Sequence, residues 1–134
     1  MNTKIFVNIA VNDLKKSMDF FGKLGFSFNP QFTDEKAACM ILSEEGFVML
    51  LSEPFFKTFF NKEMVNAKKS TEVLLAISAG SRGKVDEMVD KALAMGASKL
   101  REAEDQGFMY TRSFNDLDGH IWEVIWMDID HVNK

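Results

Sequence analysis

The most informative stretch of this sequence is NDLDGHIWEV, residues 115–124, in which an Asp/Gly turn leads into a run of bulky apolar residues. Glu123 is the carboxylate inside that run. An ionised carboxylate among apolar side chains is costly unless a cation, a hydrogen-bond donor or a raised pKa compensates it. Glu123 is therefore a metal ligand or acid/base, a polar contact for a bound molecule, or a structural group paired with Tyr110, Arg112 or backbone donors.

Length and composition indicate an ordinary globular protein. The chain has 134 residues, of which 46% are hydrophobic and 27% charged, enough for a buried core and a small cavity. Its net charge of −4 argues against nucleic acid as the main partner, because phosphate binding needs a concentrated Lys/Arg patch. The sequence shows neither an apolar run of membrane-spanning length nor a secretion signal, so we expect a cytoplasmic protein with no membrane partner.

The first half of the chain is predicted to form a strand, a helix and three further strands. Residues 4–11 alternate as a strand does, and Asn12 and Asp13 can cap a helix that ends at Gly25. Strands are expected at 26–28, 36–42 and 46–51.

The second half repeats this order. We predict a strand at 72–79, a helix at 82–95 closed by Gly96, and strands at 98–103, 108–114 and 121–127. The two series correspond at an offset of about 68 residues. We therefore expect one domain, 1–134, with modules at about 4–52 and 71–127 and a linker at 53–70.

Two such modules predict an α+β fold in which two curved sheets, each with its helix outside, pair to form a half-closed cup. Ligand sites often occupy the mouth of such a structure. The sheets could pair within one chain or across a swapped dimer, and we expect a homodimer. In the linker, Phe55 and Phe59, and likewise Phe56 and Phe60, are spaced to stack on successive helical turns. That segment could close over the cavity or be covered by a second subunit.

Two segments carry a family resemblance. VNDLKKSMDFF at 11–21 resembles the first-helix signature of the vicinal oxygen chelate superfamily, and NDLDGHIWEV at 115–124 is similar to its final turn and strand. Relatives in that superfamily include glyoxalases, bleomycin and fosfomycin resistance proteins and extradiol dioxygenases. The resemblance spans essentially the whole chain and is more specific for the fold than for an activity.

In metal-dependent members, the resemblance implies that four side chains, typically His or Gln, Glu, His and Glu, converge on a divalent cation in the cup. Here those positions fall on Phe6, on Met49 or Leu50, on Leu74 and on Glu123. Only Glu123 has an oxygen or nitrogen donor, and hard or borderline cations need several. His120 is expected in the turn or on the opposite strand face. We therefore predict no metal and no cofactor, with a divalent metal held through Glu123 as the alternative.

Three further residues could contact a ligand. Asn8 shares a strand face with Phe6, so it could orient a polar ligand group or be a satisfied residue beside a dimer seam. Tyr110 and Arg112 also share a face. If that face looks into the cup, they favour an anionic or carbonyl-bearing ligand; if it looks outward, they form a solvated edge feature.

The predicted function is a glyoxalase/bleomycin resistance-like protein that binds a small, mainly apolar or aromatic molecule without a metal. Its predicted ligand contacts are Phe6, Asn8, Met49, Leu74, Tyr110, Arg112 and Glu123. Nine Met and thirteen Phe favour an adaptable apolar cavity, although most of them are needed for the core. The alternative is a metal-dependent lyase, isomerase or dioxygenase, lactoylglutathione lyase-like or dioxygenase-like, with Glu123 as the catalytic residue. A third reading is an interaction protein with a filled cup.

Overall fold

The computed structural model describes residues 3–132. Four residues at the ends of the predicted 1–134 domain, Met1, Asn2, Asn133 and Lys134, lie outside the described residues. The chain divides into two compact units, Met1–Met64 and Val65–Lys134. Between residues 3 and 132, no helix is both long enough and apolar enough to cross a bilayer.

The first unit contains one four-stranded sheet and its helix. Its elements are β1 (Ile5–Val11), α1 (Leu14–Lys23), β2 (Ser27–Asn29), β3 (Ala37–Ile41), β4 (Gly46–Ser52) and α2 (Glu53–Phe56). The strand order is β1-β4-β3-β2, with β1 parallel to β4 and the other pairs antiparallel. Asp13 accepts a hydrogen bond from the Lys16 backbone N–H at 3.1 Å, as the predicted N-cap requires.

The second unit repeats this arrangement. Its elements are β5 (Leu74–Ser78), α3 (Arg82–Ala94), β6 (Ser98–Lys99), β7 (Glu104–Asp105), β8 (Met109–Asn115), β9 (Ile121–Met127) and α4 (Ile129–Val132). The strand order is β5-β9-β8-β6, β7 also pairs with β8, and β5 runs parallel to β9. The predicted α+β class and the repeated strand, helix and strand order are confirmed.

The predicted strand at 98–103 is wrong in its length. Only Ser98–Lys99 of it forms a strand, β6, and the short strand β7 begins just beyond it at Glu104; each pairs with β8. Between them the chain leaves the sheet, and side chains form bonds instead: Lys99 binds Glu102, and Arg101 binds Glu104 at 3.3 Å. In the middle of this segment, side-chain ion pairs therefore take the place of backbone hydrogen bonds to a neighbouring strand.

The linker between the modules is partly helical. α2 is followed by a single 3-10 turn, Lys57–Phe59. Phe55 packs on Phe59 with ring centroids 5.1 Å apart, and Phe56 packs on Phe60 at 5.2 Å, both edge to face. The predicted stacking on successive turns is confirmed.

Candidate functional site

The first sheet carries an exposed aromatic surface. Phe6 stacks on Phe47 with ring centroids 4.8 Å apart and planes inclined by 11°, and Phe6 remains 50% exposed. The parallel register pairs Phe6 with Phe47 and Asn8 with Met49, so all four side chains share one face. We call these four residues the Phe6 face. Three of them were predicted from the sequence, and Phe47 was missed although it lies two residues before Met49 in the same strand.

Asn8 of this face is exposed and bonds locally. Its side-chain amide donates to the Phe6 carbonyl oxygen at 3.1 Å. The amide has a second N–H and a carbonyl oxygen, which are capable of further hydrogen bonds. Asn8 can thus present a polar group at the border of the aromatic surface.

Glu123 and Leu74 share a face of the second sheet. The register pairs Leu74 with Ile121 and Ala76 with Glu123, and side chains two residues apart in a strand point the same way. Leu74 is 52% exposed. The Glu123 side chain is 15% exposed, and its Oε1 accepts a hydrogen bond from Arg101 Nη2 at 3.1 Å.

The partner of Glu123 is therefore Arg101, and the prediction that Tyr110 or Arg112 pairs with it is wrong. The hydrogen bond to Glu123 raises the pKa of the Arg101 guanidinium. No sequence pattern pointed to Arg101. Lys99 pairs with Phe114, and a regular continuation of that strand would have set residue 101 opposite Arg112 on the other face.

Tyr110 and Arg112 lie on the face that α3 covers. The Tyr110 hydroxyl donates to Asp86 at 2.7 Å, and Arg112 Nη1 donates to Asp86 at 3.0 Å and to Asp90 at 2.8 Å. The Tyr110 hydroxyl, followed by Arg112, lowers the pKa of Asp86. Adjacent residues of a strand alternate between faces, so the Glu123–Ser113 register puts Tyr110 and Arg112 on the side away from Glu123.

Ser113 is a buried hydroxyl beside Glu123 that the sequence did not single out. It lies directly opposite Glu123 in the β8–β9 ladder, a pairing that brings Cβ atoms within about 5 Å. Its side chain is buried, the residue being 4% exposed, and within residues 3–132 its Oγ has no hydrogen-bond partner. A buried hydroxyl without a partner destabilises the fold, so Ser113 is a ready donor for a bound molecule or a water.

The Asp/Gly turn is structural. Asp116, 6% exposed, accepts hydrogen bonds from the backbone N–H groups of Asp118 and His120 at 2.9 and 3.0 Å and from Trp122 Nε1 at 2.9 Å. Burial raises the pKa of this carboxyl. Gly119 has φ +90°, and a Cβ there would lie 2.8 Å from the Lys68 backbone nitrogen. The turn thus fixes the start of β9, and with it the position of Glu123.

The donors present do not fit a divalent cation at the four positions named from the sequence. Phe6, Met49 and Leu74 supply no oxygen or nitrogen side-chain donor, and Glu123 is held by Arg101. Within residues 3–132, no three His, Cys, Asp or Glu side chains cluster closely enough to hold a metal ion. The absence of a metal from the functional protein stays a prediction.

Several proteins of known structure share this fold. Residues 3–43 match the family of bleomycin resistance protein-like N-terminal segments. The chain is similar to the hypothetical protein SA1046 of S. aureus, with 25% identity, a TM-score of 0.79, and 94% of this chain and 95% of that chain covered. It also resembles a glyoxalase-related enzyme from Fulvimarina pelagi, with 18% identity, a TM-score of 0.78, and coverage of 94% and 88%.

The chain has the vicinal oxygen chelate fold. The fosfomycin resistance protein FosX of Listeria monocytogenes has it too, with 17% identity, a TM-score of 0.65, and coverage of 94% and 91%. No protein with a curated description is significantly similar. The fold that this resemblance, based on residues 11–21 and 115–124, led us to expect is confirmed.

Proposed function

We propose that this protein binds a small, mainly apolar or aromatic molecule without a metal ion, and that the Phe6 face contacts it. The observation that carries this proposal is the stacked pair of Phe6 and Phe47, in which Phe6 is half-exposed. The two rings are nearly parallel and stacked, and the exposed half of Phe6 leaves apolar ring surface open to a ligand. A ligand ring laid on that surface would remove apolar area from water and gain about 0.5–1.5 kcal/mol from the aromatic contact beyond area burial.

The other residues of the Phe6 face suit the same ligand. Met49 has a flexible, polarizable side chain that adapts to irregular apolar shapes. Asn8 keeps hydrogen-bonding capacity at the border of the surface. The match to bleomycin resistance protein-like N-terminal segments covers Phe6 and Asn8, which supports assigning ligand contacts to this part of the chain.

The second unit, taken by itself, also carries groups that could contact a small molecule. Arg101, Ser113 and Glu123 lie together, and the bonds of Arg101 to Glu123 and Glu104 use two of the five N–H donors of a guanidinium. Together with the Ser113 hydroxyl, the remaining donors favour a ligand that carries a carbonyl or another acceptor group. Leu74, exposed on the same face, adds apolar contact.

A thermal-shift screen tests this proposal. The protein would be heated with and without aromatic antibiotics, aromatic thiol conjugates and aromatic metabolites, because a molecule that binds the folded state raises the melting temperature by mass action. Phe6→Ala should weaken binding of any hit about tenfold. Phe32→Ala is the matched control, since Phe32 is exposed in the same unit but lies outside the Phe6 face.

Two results would contradict the proposal. Equal loss of affinity in Phe6→Ala and Phe32→Ala would show that ligand binding does not depend on the Phe6 face. One tightly held divalent ion per chain, found by elemental analysis of protein purified without chelators, would contradict the metal-free part.

The enzymatic alternative depends on Glu123 as a base or metal ligand. Its ion pair with Arg101 opposes both roles, because the cation stabilises the carboxylate and occupies one of its oxygens. Glu123→Gln separates the two possibilities. A binding protein should retain most of its ligand affinity in this variant, whereas an enzyme that uses Glu123 would lose turnover.

The proposal includes a cytoplasmic homodimer with no nucleic-acid or membrane partner. Exposed large apolar residues support an interface between copies; they include Ile5, Val73 and Ile129. Sedimentation equilibrium of the full chain would give twice the monomer mass for the proposed dimer, and the monomer mass would contradict it.

A further inference from the structure

The second unit has a half-open cleft of about 500 Å³ beside the Asp/Gly turn. Three segments line it. The first contributes Lys68, Lys69 and Thr71, the second contributes Ser98, and the third contributes Asn115. It contains none of the ligand contacts proposed above, although Ile121 connects it to the strand that carries Glu123. The cleft is large enough for a small molecule.

The charged residues in the lining of this cleft are two lysines and one aspartate. In the part of the chain that the structure describes, neither Lys68 nor Lys69 forms an ion pair with a carboxylate. The one acidic residue in the lining, Asp116, is buried, and three N–H groups already bond its oxygens. Two lysines without an ion pair thus line a cleft whose one carboxylate already accepts three hydrogen bonds.

The polar groups at the base of the cleft can donate hydrogen bonds. The Asn115 side-chain amide donates to Ser98 Oγ at 3.2 Å, so the Ser98 hydroxyl hydrogen remains for another acceptor. Thr71 adds a second hydroxyl. Lysines and hydroxyl donors around one concavity are the groups that bind phosphate and carboxylate oxygens.

The close contact at Gly119 fixes the position of Lys68. An added Cβ at Gly119 would lie 2.8 Å from both the backbone nitrogen and Cγ of Lys68. The lysine stem therefore lies directly on the turn, which limits where its ammonium group can go. Leu117 and Ile121 add apolar area to the same cleft.

We propose that this cleft binds a small molecule in which a phosphate or carboxylate group is joined to an apolar group. The anion lies between Lys68 and Lys69 and accepts hydrogen bonds from Ser98 or Thr71. The apolar part lies against Leu117 and Ile121. This site is separate from the Phe6 face, and neither site requires the other.

Calorimetric titration with phenyl phosphate at low ionic strength tests this inference. Inorganic phosphate and phenol are titrated in parallel, and benzoate replaces phenyl phosphate to compare the two anions. The double variant Lys68→Gln/Lys69→Gln should lose at least about tenfold in affinity for phenyl phosphate. Lys15→Gln/Lys16→Gln is the matched control, since it removes the same charge from exposed positions of the first unit.

The inference holds if phenyl phosphate binds more tightly than inorganic phosphate, if the Lys68/Lys69 variant weakens it selectively, and if amide NMR signals of Ser98 and Gly119 shift. Phenol binding as tightly as phenyl phosphate would overturn the anion assignment. Equal losses in both double variants, or no binding at all, would overturn the site. Phe6→Ala should leave phenyl phosphate affinity unchanged, so failure here is distinguishable from failure of the function proposed above.

Discussion

The two sheets share a strand order but differ in how their side chains are held. In each sheet the first strand pairs in parallel with the last, and the remaining strands follow in antiparallel order. The first sheet exposes stacked phenyl rings, whereas the second carries the Arg101–Glu123 ion pair. The same topology thus supports an apolar surface in one module and a charged one in the other, so strand order alone does not determine the chemistry of the face.

The helices show the same contrast. α1 buries Phe20 and Phe21, whose rings meet edge to face at 5.0 Å. α3 buries smaller residues and also presents Asp86 and Asp90 to Arg112 of β8. Large buried rings stabilise the packing of α1 in the first module. In the second module, α3 combines smaller buried residues with hydrogen bonds between charged side chains. Four substitution experiments test how much of the stability of each module depends on these differences.

The largest effect is expected at Gly119 of the second module. Gly119→Ala should reduce the free energy of unfolding by about 3 kcal/mol, because it combines a positive φ with overlap against the backbone of Ala67 and Lys68. In the first module, Gly25 has φ +111°, but nothing lies within 4 Å of an added Cβ. Gly25→Ala should therefore lower the free energy of unfolding by about 1 kcal/mol. Urea unfolding measures both, and equal losses would show that the close approach at Gly119 is unimportant.

The next effect concerns the buried hydrogen bond of Trp122. Trp122→Phe removes the donor to Asp116 and should cost about 2 kcal/mol, since a buried carboxylate oxygen loses its partner. Trp126→Phe is the comparison, because Trp126 is half-buried and the Arg82 guanidinium lies 5.1 Å from the centre of its ring. We expect about 0.5–1 kcal/mol there. A smaller loss at Trp122 than at Trp126 would contradict the structural role assigned to the turn.

Loss of the ion pairs between α3 and Arg112 should lower the stability of the protein by a moderate amount. Arg112→Met should cost about 1 kcal/mol, because Arg112 is mostly buried and bonds both Asp86 and Asp90. In the first module, Lys23→Met breaks an exposed pair with Asp19 and should cost no more than about 0.5 kcal/mol. If the two losses are equal in urea unfolding, the polar bonds of α3 do not distinguish the modules.

The smallest effect is a dependence on pH at the start of α3. Arg82, and then the Gly107 backbone N–H, lower the pKa of Asp105 from 3.8 to about 2. A carboxylate with a lowered pKa stabilises the folded state above its unfolded pKa, and this stabilisation is lost as the pH falls from about 4 towards 2. Asp105→Asn should therefore flatten the decline of stability over that interval. An unchanged slope in acid unfolding curves would show that the Arg82 pair does not contribute.

Most of the element order could be predicted from local signals. The Asp13 cap, the apolar spacing of α1 and the glycines after α1 and α3 are properties of neighbouring residues, and they set these two helices correctly. Strand alternation also correctly grouped Phe6 with Asn8, and Tyr110 with Arg112. These predictions succeeded because each depends on a periodicity within a single element.

The site could be predicted only in part. Alternation shows which residues share a face, but it does not show which face a helix covers, so Tyr110 and Arg112 were not separated from Glu123. Arg101 was missed because its contact with Glu123 depends on the chain leaving the sheet between β6 and β7. Ser113 was missed because the absence of a hydrogen-bond partner is a property of the folded structure.

The parallel pairing of the first strand with the last has a consequence for how the chain forms during synthesis. Phe6 and Phe47 stack although they are about 40 residues apart in sequence, and Leu74 and Ile121 are separated by a similar distance. Neither sheet can close until its final strand has left the ribosome, because the edge strand has no earlier partner. Each sheet is therefore complete only after a long-range contact has formed. The entropy cost of closing that loop must be met first.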